Sequence, residues 1–108
     1  MRLARVVGQV VATVKEPGLD GFKILLVEDL DATDPDRDRF GALEVRGVPE
    51  GTAYPAIDVV GAGEGEVVLV TAGSAARVPS ASGRTATDAA VVAIVDTVIM
   101  HGEVTFKK

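Results

Sequence analysis

The segment Val6-Val7-Gly8-Gln9-Val10-Val11-Ala12-Thr13-Val14 constrains the fold more than any other part of the chain. β-Branched residues dominate it, which favours a strand over a helix. Its apolar side chains fall on both faces of that strand, so both faces must be covered. Gly8 in the interior predicts a bulge or a close backbone approach. The same chemistry runs through the whole chain, where 19 Val and 15 Ala supply 34 of the 51 hydrophobic residues. Four aromatics (Phe22, Phe40, Tyr54, Phe106) are too few to fill a large core. An all-β structure is expected, with more apolar surface than a lone barrel of 11.1 kDa can bury, so self-association is the first inference.

The length of 108 residues predicts one domain spanning 1–108. With no Cys, disulfide scaffolds, thiol nucleophiles and Cys-ligated metals are excluded, and a reducing compartment fits. No apolar run reaches the ~18 residues of a membrane span, and the start Met1-Arg2-Leu3-Ala4-Arg5 lacks a secretory pattern. The net charge of −5 argues against nucleic acid and anionic membrane as partners.

After the first strand, Lys15-Glu16-Pro17-Gly18 is a stop, and Asp20-Gly21 introduces a second strand over Phe22–Leu30. Residues 31–55 read as a charged loop insertion, with a short edge strand expected within Phe40–Val48. A further strand over Ala53–Val60 leads into the corner Gly61-Ala62-Gly63-Glu64-Gly65-Glu66, and Val67–Ala72 follows as another. Thr85 and Asp88 approximate a capping box, which predicts a short helix reverting to strand by Ala93. The tail from His101 is apolar enough at Val104 and Phe106 to pair or dock. About five strands and one short helix make the inventory of a small OB-like barrel.

No residue cluster assembles into a catalytic, cofactor or metal site. Gly61, Gly63 and Gly65 precede a strand rather than a helix, so a tight β-to-β turn replaces the dinucleotide reading. Ser74 lacks a positioned base, since His101 is the only His and lies beyond the last core strand. Asp31, Asp34, Asp36 and Asp38 alternate like calcium ligands but lack the central Gly and terminal Glu. Asp58, Asp88 and Asp96 are expected to hydrogen-bond backbone amides or Arg77. Gly73, Ser74, Ala75 and Ala76 are small enough to let chains approach closely, and Arg77 suits an ion pair across an interface. The alternative is an OB-type barrel binding single-stranded nucleic acid or another small ligand, which would need aromatics in a positive groove.

Five blocks, in order, resemble the bacterial microcompartment vertex proteins of the EutN/CcmL type. They are Val6–Thr13, Leu19–Val27, Asp58–Leu69, Gly73–Arg77 and Thr87–Asp96. The resemblance implies an OB-like five-stranded barrel assembled as a cyclic pentamer, a non-enzymatic protein that caps the vertices of a polyhedral shell in the bacterial cytoplasm. It implies two kinds of partner: other copies of itself, and hexameric or trimeric shell proteins. Gly61, Gly63, Gly65 and Gly73–Arg77 are then candidates for the subunit interface or five-fold axis. The 31–55 stretch is longer and more charged than the family pattern, and Ala86-Thr87-Asp88 stands where Pro-Val-Asp is common.

Overall fold

A computed structural model describes residues 1–108 except 14, 16, 20, 31–52, 77–78, 81–82 and 85–86. Among the described residues nine strands follow in chain order: β1 (Arg2–Val10), β2 (Lys23–Asp29), β3 (Tyr54–Asp58), β4 (Val67–Ala72), β5 (Pro79–Ser80), β6 (Gly83–Arg84), β7 (Ala89–Ile94), β8 (Thr97–Met100) and β9 (Glu103–Lys107). Five of them close a barrel in the order β1-β2-β3-β7-β4. Only β3 and β7 run parallel; the other neighbours are antiparallel. This is the OB arrangement expected from the strand inventory.

Alternation decides the interior. Ala4 and Val6 of β1, Leu25 and Val27 of β2, Ala56 of β3, Val68 and Val70 of β4, and Ala89 and Val91 of β7 form one buried cluster, with Ala62 from the β3–β4 corner. Each fully buried Val is worth about 1.5–3 kcal/mol relative to exposure. Small side chains suit the narrow lumen of a five-stranded barrel.

The second face of the strands is covered largely by the chain itself. Leu3 and Val67 point outward beneath Phe106 of β9, with Leu30, Val95 and Val98. The tail is thus a β8–β9 hairpin docked on the flank, as its apolar residues implied. His101 (φ 54) and Gly102 (φ 77) form its turn, both in the left-handed region that a two-residue hairpin loop needs. Ile57 and Ala90 point outward beneath Ala76.

The bulge predicted at Gly8 is present, since the β1–β2 register shifts between Val6 and Gly8. The helix expected to start at Thr85 is not where the capping pattern placed it. Residues 85 and 86 lie outside the described residues, but Thr87 and Asp88 are non-helical and β7 is already formed at Ala89. The Thr87 hydroxyl accepts from Ala89 N–H and donates to Ala89 O, a local turn that competes with a helix cap. Ala89 and Ala90 then pair with Ala72 and Thr71, so strand pairing overrides the helix propensity of Ala. Among the described residues the helical segments are two single 3-10 turns, Pro17–Leu19 and Gly73–Ala76. The edge strand expected within Phe40–Val48 and most of the 31–55 insertion lie outside the described residues, whereas Tyr54 and Pro55 already belong to β3.

Candidate assembly surface

The β3–β4 corner is built around one carboxylate. Asp58 ends β3 almost fully buried, and its Oδ1 accepts from the N–H groups of Val60 (3.1 Å), Gly61 (3.0 Å) and Ala62 (3.2 Å). Its Oδ2 lies 3.6 Å from Lys23 Nζ, which donates to the Ala62 carbonyl at 2.8 Å. Asp58 is therefore a structural acceptor of backbone amides, as its position beside a strand suggested. The chain can wrap this acceptor because Gly61 (φ 85) and Gly65 (φ 89) take backbone angles that side-chain-bearing residues avoid. Two backbone bonds, Val6 N–H to Glu66 O (2.9 Å) and Gly65 N–H to Val6 O (2.8 Å), tie the corner to β1. No helix follows, so the three glycines serve a β-to-β turn.

A second carboxylate holds the other half of the corner. Glu66 Oε1 accepts from Gly63 N–H at 2.7 Å, and Oε2 pairs with Lys108 Nζ at 2.8 Å. The hydrogen bond from Lys108 and then the Gly63 amide hold the Glu66 carboxyl below its ordinary pKa.

Exposed valines lie near this end of the barrel, beside the exposed Lys23 and Glu64. Val7, at the bulge, and Val11, Val59 and Val60 are all exposed, Val11 to 86%. Reading the first segment as apolar on both faces anticipates Val7, and Val11 just beyond the end of β1; Val59 and Val60 follow β3, and the Asp58 turn turns them outward. A separate apolar groove runs along Leu3, Leu69, Ala93 and Ile94 to Val98 and Ile99. At the opposite mouth of the barrel, Arg2, Asp29 and Tyr54 form a polar layer. Arg2 Nη1 donates to Asp29 Oδ2 (3.1 Å), and the Tyr54 hydroxyl donates to Asp29 Oδ1 (2.6 Å). Burial, reinforced by that bond to Asp29, pushes the Tyr54 hydroxyl up to about 12. A cavity of about 340 Å³ opens there, floored by Val70, Ala72 and Ala89.

The structure divides the candidate interface residues into two groups. Gly61 and Gly65 are exposed and Gly63 half-buried in the corner, whereas Gly73 leaves the far end of β4, a strand about 20 Å long. Gly73–Ala76 make a 3-10 turn that includes Ser74 and Ala75, and Ala76 is buried against Ile57 and Ala90 within its own chain. Arg77 lies outside the described residues. Among the described residues a base-stacking surface finds no support; Phe40 lies outside them. Phe106 is buried, Phe22 packs partly buried near Leu19, and the Tyr54 hydroxyl is engaged by Asp29.

The profile of the family described as "Ethanolamine utilisation protein EutN/carboxysome" matches residues 1–96. The chain belongs to the EutN/CcmL family. It is 42% identical over 108 residues to the bacterial microcompartment shell vertex protein EutN of Salmonella typhimurium, covering all of this chain and 96% of that one. It is 47% identical over 98 residues to the carboxysome shell vertex protein CcmL of Synechocystis, covering 91% of this chain and 85% of the relative. Among solved structures it is similar to a carboxysome subunit CcmL, with a TM-score of 0.77, 42% identity and 100% and 99% coverage of the two chains. It is also similar to GrpN of Rhodospirillum rubrum, a pentameric microcompartment shell protein, with a TM-score of 0.67, 40% identity and 93% and 98% coverage. The EutN/CcmL membership agrees with all five sequence blocks and with the barrel topology.

Proposed function

We infer that this chain is a structural shell protein whose pentamers cap the vertices of a polyhedral bacterial microcompartment. The observation that carries this reading is similarity along the whole chain, with barrel topology preserved, to shell vertex proteins of which one solved relative is a pentamer. The exposed Val7, Val11, Val59 and Val60 supply what assembly requires, an apolar surface that one subunit leaves uncovered. A ring of identical subunits uses one heterologous interface, in which two different surfaces meet head to tail, repeated until it closes. On this reading residues 1–108 act as one domain, with hexameric or trimeric shell proteins as neighbours in the cytoplasm. The chain itself is a non-catalytic building block that needs no cofactor. Native mass measured at micromolar concentration tests the proposal. Five times the 11.1 kDa chain mass is expected, and a monomer would refute it.

A further inference from the structure

We propose that the β8–β9 hairpin is a strap that sets the rigidity of the Gly61–Glu66 corner through the Lys108–Glu66 ion pair. Lys108 is thereby a positioning residue for a turn 42 residues away. The corner contains three glycines, and beyond its own turn bond from Glu66 N–H to Gly63 O (3.2 Å) and the two ties to β1, side chains fix its shape. Asp58 and Lys23 impose it on Val60–Ala62. In the other half, Gly63 N–H is held by Glu66 Oε1, and the Glu66 carboxylate is held in turn by Lys108 Nζ. Lys108 is itself placed by the hairpin: its N–H donates to Asp96 O at 2.7 Å, and Phe106 two residues earlier is buried against Leu30 and Val67. Val67 adjoins Glu66, and its carbonyl accepts from Val95 N–H at 2.8 Å, so hairpin and corner share one anchor.

Carboxylate and ammonium are both partly open to solvent, which makes the contact sensitive to salt in a way that the buried Asp58 network is not. Lys23 near Glu66 and Asp96 near Lys108 are the further charges that bear on the pair, and both favour its ionised state. A partner that takes hold of Lys108 or lifts the hairpin would loosen the corner without touching it. The strap does not depend on the vertex reading.

The test is amide hydrogen exchange at Gly63, read residue by residue in the full chain, with native mass measured on the same samples. Lys108→Met keeps the apolar stem and removes the charge; Glu66→Gln keeps an acceptor for Gly63 N–H and removes the ion pair. Each is expected to speed Gly63 exchange about two- to fivefold, the range of a partly exposed ion pair. The double variant should match the single ones. In the parent, raising salt should produce the same acceleration, and in Lys108→Met the salt response should fall to the small part that Lys23 exerts on Glu66. Unchanged exchange in both single variants overturns the proposal. So does a salt response in Lys108→Met as large as the parent's, or a double variant showing the product of the two single effects. A parent of monomeric mass would refute the vertex reading while leaving the exchange result to decide the strap.

Discussion

Replacing Asp58 separates its role as a charged hub from simple burial. In Asp58→Ala the N–H groups of Val60 and Gly61 turn to solvent, because both residues are exposed. Ala62 is fully buried, and its N–H loses its acceptor. An orphaned buried donor costs about 1–3 kcal/mol, and loss of bonds to a charged acceptor adds to this. The Lys23 pair contributes under ~1 kcal/mol, since Lys23 is half-exposed and is also satisfied by the Ala62 carbonyl. The expected total is about 2–4 kcal/mol, a large share of the roughly 5–15 kcal/mol typical of such a domain. Asp58→Asn keeps Oδ1 as a neutral acceptor and should lose only about 1 kcal/mol. Urea unfolding followed by circular dichroism at one fixed protomer concentration measures both, because subunit association shifts apparent stability by mass action. Equal losses in the Ala and Asn variants, or a loss below about 1 kcal/mol in Asp58→Ala, would refute the hub argument.

Tyr54 is the only Tyr and the chain has no Trp, so alkaline absorbance at 295 nm reports this hydroxyl alone. Its midpoint should lie near 12 rather than 10, and Asp29→Asn should bring it down. Because the folded value is the higher one, the contribution of this group is complete below pH 10 and is lost as pH rises from about 10 to 12, which unfolding midpoints across that window would show. Val59→Asp with Val60→Asp, at exposed positions, should leave the circular dichroism of the barrel intact and lower the native mass; an unchanged mass would exclude this patch from the subunit contact.

The elements that were legible share one property: local chemistry and packing agree. β1 and β2 carry dense β-branched or aliphatic runs, Gly8 sits at the bulge, and Asp58 ends a strand and precedes glycines, so pattern and structure agree there, although β1 ends at Val10 rather than running on to the stop at Lys15. The helix expected from Thr85 failed because Ala89 and Ala90 have high helix propensity, while their place in the fold is decided by Ala72, Thr71 and Ile57, residues distant in sequence. The surplus of apolar strand residues also had two destinations that periodicity cannot distinguish. Leu3, Ile57 and Val67 are covered within the chain by the hairpin and by Ala76, while Val7, Val11, Val59 and Val60 stay exposed. For the same reason the Gly73–Ala76 stretch, read as close-approach residues, places Ala76 against its own barrel.

The position of β7 also fixes when the subunit can close during synthesis. β1, β2 and β3 form an antiparallel meander, and β4 extends it on the β1 side. The resulting curved sheet has two unpaired edges, β3 and β4, until β7 enters between them, parallel to one and antiparallel to the other. Open edges of this kind invite pairing with another chain. An emerging polypeptide therefore carries two adhesive borders until residues 89–94 have left the ribosome, and a chain cut short before Ala89 would keep both. Pairings so distant in sequence are also the slow ones to form. For a chain proposed to assemble with copies of itself, the interval before β7 seals the barrel is the stage most exposed to misassembly.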